Sequence, residues 1–269
     1  MKLAVSNIAW PSELNAEVFP LLRAGGVGHL EIAPTKLWPG WEGATVAAAR
    51  AFRRSLEAEG LSVSSLQSIL FQKPELQLFG TPQDRDALFR HLLLCANLAV
   101  ELGAKCLVFG APKNRQRREL PESDAFAIAA EFFARVGAVC ADRGVFVGFE
   151  ANPAAYACDF ATNSGTAARL VREVGSVGFQ LHLDTACLYL AGEFDPLAVI
   201  QENRDILGHL HASEPHLGDF SAPVSAHAAV AKALGQIGYN GFVALEMRSG
   251  EPPLPALEQA LVFLRGTYA

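Results

Sequence analysis

Short runs rich in β-branched and aromatic residues alternate with longer segments of helical periodicity along the whole 269-residue chain. Eight such pairs fit into the chain, which leaves about 34 residues for each strand and the helix that follows it. Parallel strands joined by helical crossovers build either an open doubly wound sheet or a closed barrel. The even spacing, and a first helix that opens without a glycine-rich dinucleotide fingerprint, favour a single α/β domain over residues 1–269, a (β/α)8 barrel.

The same patterns assign each element to a range of residues. Glycines stand where helices are expected to end, for example Gly60 and Gly103. The predicted strands cover residues 2–8, 28–33, 62–70, 105–109, 145–150, 179–184, the run through 209–211, and 241–247. The predicted helices cover residues 12–25, 45–59, 82–102, 122–142, 164–174, 195–203, 224–235 and 254–264.

Composition narrows the classes of function. Hydrophobic residues make up 51% of the chain, which is ample for one large core and excludes an intrinsically disordered protein. The net charge of −6 argues against a general nucleic-acid or anionic-membrane surface, since both need excess Lys and Arg. No apolar run approaches the roughly 18 residues of a membrane span. We expect a small-molecule partner, with neither nucleic acid nor membrane, and the helix faces leave a homo-oligomer open.

The five cysteines indicate a reducing compartment. Their number is odd and no CxxC pair occurs, so reduced and buried thiols are expected. The N-terminal segment has the pattern of a first strand and lacks the long apolar core of a signal peptide. Both observations predict a cytoplasmic protein.

Four residues of metal-ligand type stand at the ends of four successive predicted strands. They are Glu150, Asp184, His211 and Glu246, separated by 34, 27 and 35 residues. The carboxyl ends of barrel strands meet at one face, where the active sites of such barrels lie. Each carboxylate taken alone has the alternative of a helix cap or a solvated loop residue. The coincidence of all four predicts one shared site.

Three carboxylates and one imidazole form an oxygen-rich, anionic set that favours Mn²⁺, with Mg²⁺ and Co²⁺ as alternatives. Four protein ligands leave positions for two oxygens of a substrate, such as a carbonyl and a neighbouring hydroxyl. Glu150 and Glu246 stand on different strands, so the two carboxylates could exchange protons with opposite faces of an enediolate. His182 and His209 share strand parity with Asp184 and His211, and we expect them one layer deeper as hydrogen-bonding partners.

Several motifs around these residues resemble the xylose-isomerase-like sugar isomerase/epimerase superfamily of TIM barrels, whose members include D-tagatose/D-psicose 3-epimerases and hydroxypyruvate isomerases. The resemblance covers the whole chain. It implies a Mn²⁺-type site of Glu150, Asp184, His211 and Glu246, with Glu150 and Glu246 as the acid/base pair. The motifs that carry it are Glu150, Leu-His-Leu-Asp-Thr (181–185), His-Leu-His-Ala-Ser-Glu (209–214) and Ala-Leu-Glu-Met (244–247).

Three positions depart from the ketose 3-epimerase pattern. Those enzymes carry a glutamate, a histidine and an arginine in substrate-binding positions where this chain has Tyr156, Cys187 and Leu217. The resemblance therefore implies retained metal chemistry with a different substrate.

Seven residues are expected to bind that substrate. Lys113 and Arg115 follow strand four and would clamp a phosphate or carboxylate, although solvated charges are the alternative. Trp10 would stack on a sugar face, or else cover the core. Arg248 shares parity with Glu246 and would reach the substrate or hold Glu246 in place. Tyr156, His182 and Glu214 complete the set.

The leading hypothesis is a divalent-metal-dependent isomerase or epimerase of a small keto-sugar or sugar phosphate. A dehydratase that expels a β-hydroxyl with the same metal is the alternative. An endonuclease IV-like phosphodiesterase would need histidines on strands two and three, where this chain has Glu31, Gln67 and Gln72. A non-catalytic sugar-binding protein is the fourth hypothesis, and the intact metal set argues against it.

Overall fold

The computed structural model describes residues 1–269, and its eight parallel strands close into a barrel in chain order. The last strand pairs with the first, from Lys2 against Phe242 to Val5 against Leu245, so the sheet has no edge. The predicted (β/α)8 barrel is confirmed. The strands are β1 (Lys2–Ser6), β2 (His29–Ile32), β3 (Ser62–Leu66), β4 (Cys106–Phe109), β5 (Phe146–Glu150), β6 (Phe179–Asp184), β7 (Leu207–Ser213) and β8 (Phe242–Glu246).

Ten α-helices surround the barrel or lie over its carboxyl end. Those predicted at 82–102, 122–142 and 164–174 have the predicted bounds. The helices are α1 (Asn15–Ala24), α2 (Pro34–Leu37), α3 (Val46–Ala58), α4 (Pro82–Leu102), α5 (Glu122–Asp142), α6 (Ser164–Val174), α7 (Thr185–Leu190), α8 (Pro196–Glu202), α9 (His227–Gln236) and α10 (Pro253–Tyr268).

The accurately predicted helices have strong local end signals. Thr81 accepts a hydrogen bond from the Asp84 backbone N–H, and the Asp84 carboxylate accepts one from the Thr81 N–H, which makes a capping box for α4. Gly103 ends α4 in the left-handed conformation, with φ of 80°. Asn163 caps α6 through its side chain.

Other bounds differ from the predictions for local reasons. A 3₁₀ turn at Ser12–Leu14 delays α1 to Asn15, α9 begins only at His227, and α10 continues to Tyr268. The strand predicted at 62–70 stops at Leu66, because Ser68 and Gln72 adopt left-handed φ angles of 52° and 63°. The chain then forms a loop over the carboxyl end of the barrel. The short helices α2 and α7 were not predicted.

The core between the barrel and the helical ring is apolar and continuous. An aromatic group joins β4, β5 and β6 to α5: Phe133 lies 5.1 Å from Phe109, 5.3 Å from Phe149 and 4.6 Å from Phe179, centroid to centroid. This packing fixes the strands whose ends carry the candidate ligands. No helix in the structure is long and apolar enough to cross a membrane.

Candidate metal centre

The four predicted metal ligands come together at the carboxyl end of β5 to β8. Three carboxylate oxygens surround Nδ1 of His211: Glu246 Oε2 at 3.2 Å, Asp184 Oδ2 at 3.8 Å and Glu150 Oε1 at 3.9 Å. The ligand atoms of Asp184, His211 and Glu246 all lie within 4.8 Å of one another. This geometry brings Asp184, His211 and Glu246 within reach of one cation, and Glu150 lies beside them at 3.9 Å from His211 Nδ1.

Strand register explains why residues so distant in sequence meet. Asp184 pairs with His211 across β6 and β7, and Glu246 pairs with Ser213 across β7 and β8. Alternate residues of a barrel strand point inward, so His211 lies one pleat below Ser213 and projects into the same space. The site is thus a product of barrel closure.

Two of the carboxylates are held by groups outside the ligand set. Asp184 Oδ1 accepts a hydrogen bond from the Cys187 N–H at 2.7 Å, and Oδ2 accepts one from the Ser213 hydroxyl at 2.5 Å. Asp184 therefore caps α7 and also faces the centre. Glu150 Oε2 accepts a hydrogen bond from Asn152 Nδ2 at 2.7 Å. Hydrogen bonds of this kind fix the orientation of metal-binding carboxylates.

Gly110 makes room for Glu150. A Cβ atom at position 110 would collide with Oε2 of Glu150, so only glycine lets the chain after β4 pass this carboxylate. Gly148 plays a similar part deeper in the barrel, where a Cβ would lie 2.8 Å from Cys106 Sγ and 3.3 Å from His182 Cβ.

Glu31 on β2 is a site residue that was not predicted. Its Oε1 lies 2.9 Å from Nε2 of His211, in a buried ion-pair contact too bent for a regular hydrogen bond. Its Oε2 accepts a hydrogen bond from the Ser65 hydroxyl at 2.7 Å. Glu31 thus holds the Nε2 side of the imidazole and leaves Nδ1 facing the three carboxylates. A charged residue inside an apolar strand was the available signal, since it needs a buried partner.

His182 and His209 form the layer beneath, as expected from their parity. The ring of His182 lies 4.2 Å from that of His211 and stacks on that of His209 at 5.1 Å. His209 Nε2 contacts the Ser65 hydroxyl at 3.0 Å, and His182 Nε2 lies 3.4 Å from Glu150 Oε1. Burial lowers the pKa of both histidines well below the usual value, so both are neutral.

Burial and neighbouring charges shift the pKa values of three residues in the centre. Burial raises the pKa of Glu246 to about 7, against an opposing effect of His211. Burial and the Glu150 charge raise the pKa of Asp184. Burial alone would lower the pKa of His211, but Glu31 and Glu246 outweigh it and raise that pKa well above the usual value.

These observations fit a bound divalent cation. His211 Nδ1 is buried and makes no regular hydrogen bond with the protein, although three carboxylates surround it. Burial, and after it the repulsion between carboxylates, raises the pKa values of Asp184 and Glu246, and a cation would offset both effects. A second set, Glu150, Asp184 and Cys187, also lies within 4.8 Å and shares two of these carboxylates. The residues that would hold the ion are Glu150, Asp184, His211 and Glu246.

A cavity of about 570 Å³ opens onto this centre. Glu150, His211 and Glu246 line its inner end, and the loops after β3 and β4 form its walls. Lys113 lies in the wall, and its role in substrate binding stays a prediction.

The sequence matches the family model described as the xylose isomerase-like TIM barrel over residues 19–267. The chain belongs to this family. A search of curated protein sequences finds no match.

Solved structures share the complete barrel of this xylose isomerase-like protein at low sequence identity. D-Psicose 3-epimerase from Clostridium cellulolyticum H10 is 16% identical with a TM-score of 0.81, covering 100% of this chain and 99% of its own. The 3-keto-D-glucoside 4-epimerase YcjR from E. coli is 20% identical with a TM-score of 0.78, covering 99% of each chain. The IOLI protein with a bound zinc atom is 15% identical with a TM-score of 0.73, covering 99% and 96%. At these identities the likeness shows the fold.

Within this xylose isomerase-like barrel, Arg115 does not reach the mouth, and the prediction that it clamps a substrate anion is wrong. Its side chain is 0% exposed, and Nη2 donates to the Glu150 carbonyl at 2.7 Å and to Asn152 Oδ1 at 3.0 Å. The guanidinium lies 4.7 Å above the Phe149 ring. Ala111 in the left-handed region and the 3₁₀ turn after it direct Arg115 back against β5.

Trp10 and Glu214 are also committed to protein contacts, which contradicts their predicted substrate roles. Trp10 is 1% exposed, and its indole N–H donates to Asn15 Oδ1 at 2.8 Å. Glu214 Oε1 contacts His227 Nε2 at 2.7 Å, and its carboxylate accepts hydrogen bonds from the N–H groups of Val224 and Ser225. Glu214 therefore holds the loop before α9 instead of facing the cavity.

Tyr156 and Arg248 lie outside the residues that line the cavity. The Tyr156 hydroxyl accepts a hydrogen bond from the His216 N–H at 2.9 Å, and burial raises the pKa of Tyr156 to about 12. Arg248 is exposed, and its backbone N–H donates to the Leu217 carbonyl at 3.0 Å. Their predicted contacts with a substrate stay predictions.

Proposed function

We propose that this protein is a divalent-metal-dependent isomerase or epimerase of a small keto-sugar or sugar phosphate. The observation that carries the proposal is the pair Glu150 and Glu246, which stand on β5 and β8, lie 3.9 Å and 3.2 Å from Nδ1 of His211 and both line the cavity. Two carboxylates placed around one bound substrate can remove a proton from one face and return it from another.

A Mn²⁺ ion held by Glu150, Asp184, His211 and Glu246 would act as a Lewis acid toward the oxygens of a bound ketose. Asp184 is held by Ser213 and Cys187 and so supplies fixed negative charge. His211 is oriented by Glu31. These two residues position the cation, which leaves the two glutamates as the groups for proton transfer.

Glu246 is placed for proton transfer, because its carboxylate lines the cavity beside His211 Nδ1, at 3.2 Å. Glu150 Oε2 is bound to Asn152, and its Oε1 faces the centre. Glu150 would accept a proton through Oε1 while Asn152 keeps the group in one orientation.

The surroundings close the floor of the site and provide one cationic contact. His182 and His209 close the floor of the site as neutral, buried rings. Lys113 lies in the wall of the cavity and is exposed, so its ammonium group is available to a phosphate or a sugar hydroxyl. The names of the structural neighbours support a sugar substrate, since they include a psicose 3-epimerase and a keto-glucoside 4-epimerase.

Deuterium incorporation tests the proposal. The protein is incubated in D₂O with Mn²⁺ and a panel of ketoses and ketose phosphates, and carbon-bound deuterium is followed by NMR. Isomerisation gives solvent deuterium at carbon without loss of water, whereas a dehydratase gives an enone or diketo product. Glu246→Gln is expected to slow the exchange by about 10²- to 10⁴-fold. Substrate turnover that is unaffected by this change would contradict the assigned role.

A further inference from the structure

The cavity joins the metal centre to the loops after β3 and β4. Its remaining lining comes from the loop after β3, residues 67–74, and from the end of β4 and the loop after it, residues 108–114. We call these two segments the cavity wall. The volume of about 570 Å³ lies within the roughly 300–1,000 Å³ of pockets that hold drug-sized ligands, which exceeds the needs of a single ketose. The cavity therefore has room for a substrate group beyond the sugar.

The cavity wall is built in one fixed arrangement. Asn114 joins the two segments, since its Nδ2 donates to the carbonyls of Lys73 at 2.8 Å and Leu76 at 2.7 Å. The Trp41 indole N–H donates to the Phe71 carbonyl at 2.9 Å. His91 Nε2 contacts the Ile69 carbonyl at 2.7 Å. A wall held at several carbonyls is ready to bind a ligand without first becoming ordered.

Local strain in the same wall points to a ligand-binding role. Ser68, Gln72 and Ala111 all adopt left-handed φ angles, 52°, 63° and 45°, although none of them is glycine. Such conformations cost about 1–3 kcal/mol each and cluster at ligand clamps. Three strained residues line one cavity here.

The groups that the wall offers to a ligand are mainly apolar. Gln67 Nε2 donates to Ser6 at 2.6 Å, and its Oε1 accepts from Ser68 at 2.7 Å. Gln72 Oε1 accepts from the Gly40 N–H at 3.2 Å. The Gln67 and Asn114 amides are thus paired, whereas Gln72 Nε2 and the two lysines, Lys73 and Lys113, can still donate. Most of the remaining lining is apolar, from Ile69, Leu70, Phe71, Pro74, Val108, Ala111 and Pro112. Of these, Ile69, Leu70 and Val108 are buried, and Phe71 is 59% exposed.

We propose that the cavity wall is a subsite for an apolar, aromatic aglycone, so that the substrate is a keto-glycoside and not a free ketose. This inference rests on the proposed function, with the keto-sugar ring at the metal end. A second sugar would need several hydrogen-bonding partners, and the wall has few to offer. An aromatic group would pack against Phe71 and the two prolines. Lys113 would lie between the keto-sugar ring and the aglycone.

Binding of inert probes tests the subsite without requiring turnover. Phenyl and methyl β-D-glucopyranoside are titrated by calorimetry into Mn²⁺-loaded protein, with methyl β-cellobioside as the probe for a second sugar. We expect the phenyl glycoside to bind about tenfold more tightly than the methyl glycoside. Equal affinities for these two would overturn the subsite. Cellobioside affinity equal to that of the phenyl glycoside would overturn the aromatic occupant.

Two variants test whether Phe71 causes the preference for the phenyl glycoside. Phe71→Ala is expected to reduce the phenyl preference to about twofold. Phe71 is exposed, so its loss leaves the fold intact, which circular dichroism checks. Phe194→Ala removes an aromatic side chain that is 73% exposed and outside the cavity, and it should leave the preference unchanged. A Phe71→Ala protein with the full phenyl preference would contradict the proposal.

The keto derivatives of both glycosides, oxidised at the third carbon, separate this inference from the proposed function. In D₂O we expect kcat/KM for deuterium exchange to favour the phenyl compound by about tenfold. Similar exchange of both ketones, with equal probe affinities, would overturn the subsite and leave the proposed function standing. A phenyl preference in binding that Phe71→Ala removes, with no exchange of any ketone, would leave the subsite standing and overturn the function.

Discussion

Oε1 of Glu31 lies 2.9 Å from Nε2 of His211, inside the barrel and out of contact with solvent. The two residues stand on β2 and β7, which are not neighbours in the sheet. Their contact orients the imidazole, so that Nδ1 faces Glu150, Asp184 and Glu246. The geometry of the candidate metal centre therefore depends on a carboxylate that need not touch the ion.

Glu31→Gln is expected to weaken Mn²⁺ binding by about 10- to 100-fold, because a neutral amide holds the imidazole less firmly and makes Nδ1 less basic. Calorimetric titration with Mn²⁺ measures this change. Glu258→Gln makes the same substitution at an exposed position on α10 and should leave the affinity unchanged. A Glu31→Gln protein with wild-type affinity would show that Glu31 only fills space.

The Ser213 hydroxyl gives a second test of ligand positioning. It donates a hydrogen bond to Asp184 Oδ2 at 2.5 Å. Ser213→Ala removes this bond, so we expect Mn²⁺ affinity to fall by about tenfold while the fold is retained. Ser123→Ala, which alters a hydroxyl on the exposed start of α5, is the control. Equal Mn²⁺ affinities of the Ser213 and Ser123 variants would contradict the assignment of Asp184 as a ligand.

Metal binding should release protons. The raised pKa of His211 means that the metal-free imidazole is protonated at neutral pH, and the Glu246 pKa of about 7 leaves that group partly protonated. A metal ligand must be deprotonated, so we expect release of about one to two protons per Mn²⁺ and an affinity that rises with pH between about 6 and 8. Calorimetry in buffers of different ionisation enthalpy counts these protons. Proton uptake would contradict the assignment of His211.

The contribution of His211 to the stability of the metal-free protein should fall with rising pH, whereas the affinity for Mn²⁺ rises. A raised pKa in the folded state means that the stabilisation from His211 is complete below the ordinary pKa of 6.5 and is lost as pH rises through the raised value. Thermal unfolding in the presence of a chelator is expected to show a decreasing contribution at alkaline pH. His211→Gln should remove that trend, and the same alkaline slope in this variant would assign the trend to other groups.

Glu214 is expected to contribute to stability and not to catalysis. Glu214→Ala leaves the N–H groups of Val224 and Ser225 and the His227 ring without their acceptor, which we expect to cost about 3 kcal/mol in urea denaturation. Glu119→Ala at an exposed site is the control. A loss of exchange activity at full stability would restore Glu214 to the substrate-binding set.

The contribution of Glu214 to stability should fall at acidic pH. Burial would raise the pKa of Glu214, but the hydrogen bonds from His227, Val224 and Ser225 outweigh it and lower the pKa below 4.5. Its stabilisation is therefore complete above pH 4.5 and is lost as pH falls through the lowered value. The stability difference between wild type and Glu214→Ala should shrink on acidification, and a difference that grows would contradict this account.

The barrel and the cluster of candidate metal ligands could be predicted because their signals are local. Glu150, Asp184 and Glu246 each end a run of strand periodicity, and barrel closure brings strand ends together wherever they lie in the chain. His182 and His209 followed from strand parity alone. Glu31 has no motif around it, and its importance arises only from the position of β2 across the interior from β7.

The residues after the strands were harder to predict, since loop conformation decides where they point. Arg115 is six residues beyond β4, and one left-handed residue at Ala111 is enough to direct it against Phe149. Glu214 follows β7 directly, but its partner His227 comes from the next helix. Residues 67–70 of the cavity wall were predicted as part of β3, because strand periodicity does not reveal the left-handed turn at Ser68.

We expect one divalent ion to bind to Glu150, Asp184, His211 and Glu246. A crystal structure of the protein soaked with Mn²⁺, with anomalous diffraction measured at the manganese edge, would locate this ion. We predict a single anomalous peak with His211 Nδ1 and three carboxylate oxygens within about 2.0–2.3 Å. A peak bound through other residues, or no peak at a Mn²⁺ concentration that saturates related epimerases, would contradict the account.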